Sequence, residues 1–214
     1  MVRDASTYPV KNQLFRYLKV LLIGLWATAV LLGMIGLQLY ASTPGQSGPV
    51  PSLQQFSYLP IDSQRSNLII FIHPQCPCTR ASLTELEKLI IRSENRLAVL
   101  SIVYTPSKPP KGWNDNSIHQ QLQSIPGIRV IEDVDGELSR RFGAYTSGWT
   151  ILYDRTGQPL YWGGITPQRG HEGDNSGSQA ILRYLDDPHL PATQGPIFGC
   201  PILEKNKQVE RKAR

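Results

Sequence analysis

The chain has 214 residues, 40% hydrophobic and 18% charged, with a formal net charge of +5. Arg3, Lys11, Arg16 and Lys19 against Asp4 leave residues 1–19 at +3, and Lys205, Lys207, Arg211, Lys212 and Arg214 against Glu204 and Glu210 leave residues 204–214 at +3, so the body between them is −1. A nearly neutral body carries no basic footprint, which argues against a nucleic-acid partner. The length suits one domain with a real core plus accessory segments.

Val20 to Leu39 is an uninterrupted uncharged run of 20 residues. At about 1.5 Å of rise per residue, a helix there crosses a bilayer core of about 30 Å. Tyr40 suits the interface that follows. The sequence therefore predicts a transmembrane anchor over 20–40. A cleaved signal peptide is the rival reading. The apolar run is longer than the ~7–15 residues of such a peptide, and Leu39-Tyr40-Ala41 is a poor small-x-small cleavage site. The basic segment 1–19 precedes the run, and no charge follows it until Asp62. By the positive-inside rule the N-terminus is cytoplasmic and the rest extracytoplasmic. That compartment is a periplasm, or a thylakoid lumen in a photosynthetic source, and it permits disulfides.

Residues 41–60 are rich in Ser, Pro, Gly and Gln and read as a linker. A folded domain is expected over 61–203, with 204–214 as a basic tail. Leu68–Ile72 is a short, wholly apolar block, and Asn67–Ile72 reads as a buried strand. Thr79–Arg92 places Leu83, Leu86, Leu89 and Ile90 on one helical face. Leu97–Tyr104 reads as a second buried strand, followed by a proline-rich loop over 105–116. A short helix is expected from Ser117, a strand over Ile128–Ile131, and another helix capped by Asp135. Thr150–Tyr153 and Leu160–Trp162 flank turn residues and read as a hairpin, and Ser178–Leu185 closes the pattern with a helix. Alternation of this kind implies parallel strands with right-handed crossovers, completed by an antiparallel hairpin.

Cys76 and Cys78, separated by Pro77, lie where the first strand hands over to the first helix of the domain. A thiolate there meets the free N–H groups and the positive dipole end of the helix. Both favour the ionised, reactive sulfur. Proline holds Cys-Pro-Cys extended, with outer Cα atoms about 6–7 Å apart, at the far edge of disulfide geometry. A bridge there is strained and a good oxidant. Two such thiolates also suit a soft metal, Cu(I) above all. The plain alternative is a pair of buried structural cysteines.

Further residues bear on this pair. His73, three residues before Cys76, is either a tuning group or Cu(I) ligand, or a satisfied histidine at a strand end. The glycine-dense loop 163–177 returns in this topology beside the cysteines and carries Arg169 and His171. Either of these tunes a thiol or serves in acid–base chemistry, unless the loop is only a solvated connection. Cys200 lies beyond the last expected helix. It is a resolving thiol, a third metal ligand or a lone cysteine.

The element order over roughly 61–190 resembles the thioredoxin fold, an α/β fold with a central mixed sheet flanked by helices, with Cys76 and Cys78 where that fold carries its redox pair. More narrowly, the chain resembles the membrane-anchored, thioredoxin-like RedB family. The resemblance rests on His73-Pro-Gln-Cys-Pro-Cys-Thr-Arg80, Asp133-Val-Asp-Gly136, Arg141-Phe-Gly-Ala144, Thr146-Ser-Gly148, Gly163-Gly-Ile-Thr166, Arg169-Gly-His-Glu-Gly-Asp-Asn175 and Phe198-Gly-Cys-Pro201. Three departures from thioredoxins stand out. One residue separates the cysteines instead of two. Ser147-Gly-Trp-Thr150 stands where a cis-proline is usual. His73 stands where a peroxidase of this fold carries a threonine.

Two chemical readings result, and a third without chemistry. The first is an extracytoplasmic thiol–disulfide oxidoreductase with Cys76 attacking, Cys78 or Cys200 resolving, no cofactor, and an unidentified redox partner protein. The second is a Cu(I)-binding protein that holds the ion between Cys76 and Cys78, with His73 or His171 as a further ligand. The third is a membrane-tethered docking domain.

Overall fold

The computed structural model describes residues 8–113 and 117–203. The expected tail 204–214, the first seven residues of the basic N-terminal segment and the end of the proline-rich loop lie outside that range. The chain divides into two compact units, Met1–Ala41 and Ser42–Arg214.

The first unit is helix α1, Tyr8–Ser42. Its part Gln13–Ser42, 30 residues whose most apolar stretch has a mean hydropathy of 2.4, is long and apolar enough to cross a membrane, and none of that stretch is buried by protein. Leu21, Leu22, Ile23 and Leu31, which at 3.6 residues per turn point to all sides of the helix, are exposed. A helix apolar on every face needs an apolar surrounding. It contains the whole of the expected 20–40 span.

The second unit is built on a six-stranded mixed sheet of order β3-β2-β1-β4-β5-β6. The strands are β1 Ser66–Ile72, β2 Leu97–Thr105, β3 Ile128–Val134, β4 Trp149–Tyr153, β5 Pro159–Gly163 and β6 Thr193–Gln194. β1, β2 and β3 run parallel, while β4 is antiparallel to both β1 and β5. Strand β6, parallel to β5, was not among the expected elements.

β1 is central, which explains its unbroken apolar sequence: both its faces are covered. Side chains alternate between the faces. Leu68, Ile70 and Ile72 join Leu83, Leu86 and Leu89 of α2 (Thr79–Arg92), Ile118 and Leu122 of α3 (Ser117–Ser124), and Ile181 and Tyr184 of α5 (Ser176–Asp186). Ile69 and Phe71 join Trp149, Ile151 and Tyr153 of β4 and Leu138 of α4 (Glu137–Arg141) on the other side.

Two local expectations are corrected. Residues 42–60 are part of the folded domain and not a free spacer. Leu53–Phe56 forms a 3-10 turn with Leu53 and Phe56 fully buried, Phe56 stacking on Phe142 at 4.1 Å between centroids. Gly45 and Gly48 donate backbone N–H groups to Ile197 and Gly143. The composition of this segment is that of a spacer, and the core neighbours of its two buried apolar residues are distant in the chain. The N-cap residue of α4 is Gly136, and the first-turn N–H groups are satisfied by Asp133 and not Asp135: its buried carboxylate accepts the N–H groups of Leu138 and Ser139 and the Ser139 hydroxyl. Asp135 instead sits at φ 52° in the turn and accepts the N–H of Ser107.

Candidate active site: a three-thiol cluster

β1 ends at Ile72 and α2 begins at Thr79. The six residues between fold tightly. Cys76 donates its N–H to the His73 carbonyl at 3.1 Å, and Thr79 donates to the Cys76 carbonyl at 3.0 Å. Cys78 is the N-cap residue of α2, without a side-chain cap bond. The first-turn N–H groups are thus available to nearby sulfur. Cys76 is nearly buried at 3% exposure, and Cys78 is half-buried.

The third thiol arrives from the far end of the chain. After β6 the segment Gly195–Leu203 runs back across the domain. Gly164 donates to the Pro196 carbonyl, Ser147 to the Cys200 carbonyl at 2.8 Å, and Ile202 to the Tyr145 carbonyl at 2.9 Å. Thr146 and Pro201 form an antiparallel bridge. Ile197, Phe198 and Ile202 are buried, so apolar packing holds this strap as well. All three cysteines are free thiols, and their Sγ atoms lie within 4.8 Å of one another.

These neighbours divide the thiols by charge. The Cys76 thiol is pushed down to about 5, first by the hydrogen bond from the Cys200 side chain, with the backbone N–H groups of Cys200 and Cys78 and the Thr79 hydroxyl adding to it, against burial. Cys78 is raised by burial and by the negative Cys76, an effect opposed by the Arg169 guanidinium. Cys200 is raised strongly, because its proton is committed to Cys76. Near neutral pH the cluster therefore holds one thiolate, at Cys76, and two thiols.

Arg169 reaches the site from the loop after β5. Its guanidinium donates to the Gly199 carbonyl, next to Cys200, and to the Thr43 carbonyl at 3.1 Å. A Cβ on Gly170 would stand 3.9 Å from the Cys78 sulfur. The loop thus returns beside the cysteines. It is fixed from behind by Glu85 of α2, whose buried carboxylate accepts the Gly173 N–H and pairs with Lys88. His171 does not turn inward: its ring is exposed and its Nδ1 bonds the Arg169 carbonyl at 2.8 Å.

His73 packs at the edge of the site. Its ring stacks on Tyr104 at 5.1 Å and meets Trp113 edge-on at 5.9 Å. Its Nδ1 accepts the Gln75 N–H at 3.2 Å. Burial lowers its basicity, while the negative Cys76 opposes that. It does not enter the group of three mutually close ligand atoms.

Ser147, legible in the sequence only as standing where a cis-proline is usual, holds the site together. Its hydroxyl accepts the His73 N–H at 2.9 Å and bonds the Thr79 hydroxyl at 2.9 Å, tying the end of β1 and the start of α2 to the segment that carries the strap. Among the described residues no peptide bond is cis. Ser147 instead offers its N–H to the chain's own Cys200. The legible signal for the strap was Gly199: a Cβ there would lie 2.0 Å from the Ser147 carbonyl oxygen, so only glycine allows this approach.

The sheet order, the crossover helix α2 and the cysteines at the end of β1 decide the architecture. The domain has a thioredoxin-like fold. Among solved structures it is similar to a hypothetical protein from Sinorhizobium meliloti 1021, 19% identical over 78% of this chain and 96% of the other, with TM-score 0.55. It is also similar to an uncharacterized conserved protein from Geobacillus kaustophilus, 18% identical over 78% and 92%, with TM-score 0.56. A weaker match is a putative thiol:disulfide interchange protein DsbE from Chlorobium tepidum, 18% identical over 68% and 99%, with TM-score 0.41. No protein-family model and no curated protein matches the chain.

Proposed function

We propose that the protein is a membrane-tethered thiol–disulfide oxidoreductase of RedB-like type, with α1 as its uncleaved anchor and the thioredoxin-like domain outside the cytoplasm. One observation carries this reading: the Cys76 sulfur lies within 4.8 Å of the Cys78 and Cys200 sulfurs, from the two ends of the domain, and the Cys200 side chain leads the influences that push the Cys76 thiol down to about 5. A low-pKa thiolate beside a second thiol is what attack and resolution each need.

The Cys76 thiolate attacks one sulfur of a substrate disulfide. A Cys76–substrate bond forms, the substrate S–S bond breaks, and one substrate thiolate leaves. Cys200, deprotonated as it reacts, then attacks Cys76. The Cys76–Cys200 bond forms and the second substrate thiolate leaves. The substrate gains two electrons and two protons, and the domain becomes a disulfide. A dithiol partner protein restores it by the reverse exchange. Cys200 is favoured over Cys78 as the resolving thiol, because its side chain is the largest influence lowering the Cys76 thiol. Cys-Pro-Cys is not the extended stretch expected from the sequence: the Thr79 N–H bonds the Cys76 carbonyl at 3.0 Å and Cys78 is helical at φ −69° and ψ −20°, so the three residues form a turn. Arg169 favours the Cys78 thiolate and fixes the strap through Gly199.

The test is exchange of the reduced full chain, in detergent, with a small disulfide. Cys76→Ser abolishes exchange, and Cys200→Ser traps a mixed disulfide on Cys76. Trapping by Cys78→Ser instead assigns resolution to Cys78, and exchange unaffected by Cys76→Ser refutes the reading. Topology is tested by fusing a cytoplasm-only reporter after Leu203. The expected result is no activity; an active reporter overturns the orientation.

A further inference from the structure

We propose that, in the reduced protein, Cys76, Cys78 and Cys200 together form a three-coordinate, all-thiolate site for Cu(I). The inference goes beyond the redox reading, since it concerns a metal held by the dithiol state.

The geometry comes first. The three Sγ atoms lie within 4.8 Å of one another. Metal–sulfur bonds of about 2.3 Å around a trigonal ion place sulfurs about 4.0 Å apart. The cluster therefore closes on an ion by shifts of less than about 1 Å, within the reach of side-chain rotation. The positions are also held in place. Cys76 and Cys78 lie in the turn that leads into α2, closed by the Thr79 N–H to the Cys76 carbonyl, and Cys200 is fixed by the Ser147 and Ile202 backbone bonds and the Arg169–Gly199 contact. A ligand set assembled by the fold does not have to be ordered when the ion binds.

The donor set then selects the ion. Among the described residues the group contains three sulfurs and neither a carboxylate nor an imidazole. His73, at the edge of the site, has its Nδ1 engaged by the Gln75 N–H and its ring stacked on Tyr104. Hard cations need oxygen ligands. Zn(II) sites are almost always four-coordinate. Soft thiolates select Cu(I), and three of them complete a trigonal shell. Cys76 is 3% exposed, so water is excluded from its side of the site, while Cys78 and Cys200 are half-buried. The Arg169 guanidinium, close enough to favour the Cys78 thiolate, offsets part of the negative charge of the loaded site. The proposed ligand set is thus three thiols from the two ends of the domain, with Cys200 as the third ligand beside Cys76 and Cys78 and His73 outside the set.

The test uses the full chain in detergent, reduced and anaerobic, titrated with Cu(I) against a chromogenic Cu(I) chelator and, separately, with Zn(II). One Cu(I) per chain is expected, with three sulfur neighbours by X-ray absorption. Cys200→Ser is expected to weaken binding by more than about 100-fold, beyond the 10–100-fold typical of losing a group that only supports a ligand. Cys78→Ser, which leaves the strap untouched, gives the same loss and keeps the test valid if the strap variant misfolds. His73→Ala leaves the affinity unchanged. Two sulfur neighbours with unchanged binding in Cys200→Ser, Zn(II) preferred over Cu(I), or no copper retained against the chelator each overturn the proposal. Disulfide exchange is scored on metal-free protein, so either reading fails without the other.

Discussion

Ser147 donates its backbone N–H to the carbonyl of Cys200 at 2.8 Å, and that bond lays the C-terminal strap across the N-terminus of α2. Through it a thiol from the end of the chain becomes a neighbour of Cys76. The predictions below test this junction, the charge pattern it creates and the packing that supports it.

Replacing Gly199 should dislodge the strap. A Cβ in Gly199→Ala would lie 2.0 Å from the Ser147 carbonyl oxygen, which is backbone and has nowhere to go. The expected cost is about 1–3 kcal/mol of domain stability, in the range of overpacking. Denaturant unfolding measures it. Resolution of a Cys76 mixed disulfide should slow in parallel, because Cys200 is carried away with its backbone.

Alkylation of Cys76 should follow its thiolate. With the thiol pushed down to about 5, the rate should rise through that pH and be level by neutrality. Hydrogen bonding from Cys200 favours the charged form, so removing that donor raises the pKa. In Cys200→Ala the midpoint therefore moves up, toward the ordinary thiol value of about 8.5. Cys200→Ser retains an O–H donor and should lie closer to wild type. Rates of iodoacetamide labelling against pH, in a chelator, decide the matter.

Arg169 and His171 should separate. Arg169→Ala removes a charge that favours the Cys78 thiolate and a contact that holds Gly199. Cys78 should label more slowly at fixed pH in that variant. His171→Ala should change neither thiol, since its exposed ring bonds only the Arg169 carbonyl among the contacts described. A pH profile shifted by His171→Ala but not by Arg169→Ala would reverse the assignment.

Phe56 should matter to the whole domain. It is 2% exposed, stacks on Phe142 and lies under the Arg141 guanidinium at 4.5 Å. Phe56→Ala should cost about 3–5 kcal/mol, as for other buried aromatic residues. A soluble fragment starting at residue 61 should be markedly less stable than one starting at 43. Comparing their unfolding midpoints checks this.

The sequence by itself determined the elements that local pattern controls. An uncharged run as long as Val20–Leu39 marks a long apolar helix, and α1 contains it. The unbroken apolar block before Cys76 marked a strand buried on both faces, and the leucine spacing after Cys78 marked a helix with one buried face, observed at Thr79–Arg92. The cysteine pair at their junction was legible for the same reason, because strand, turn and helix are contiguous in the chain.

Tertiary structure alone decided what joins that pair. Cys200, Ser147 and Arg169 approach it from separate segments, through backbone bonds that no local pattern records. It also decided that His171 turns outward while Arg169 turns to Gly199, although both share one glycine-rich loop. The same holds for residues 42–60: their composition is that of a linker, and only the distant surfaces of Phe142 and Gly143 make them part of the core. Periodicity encodes which face of an element is apolar, whereas the identity of the surface it meets depends on how the whole chain closes.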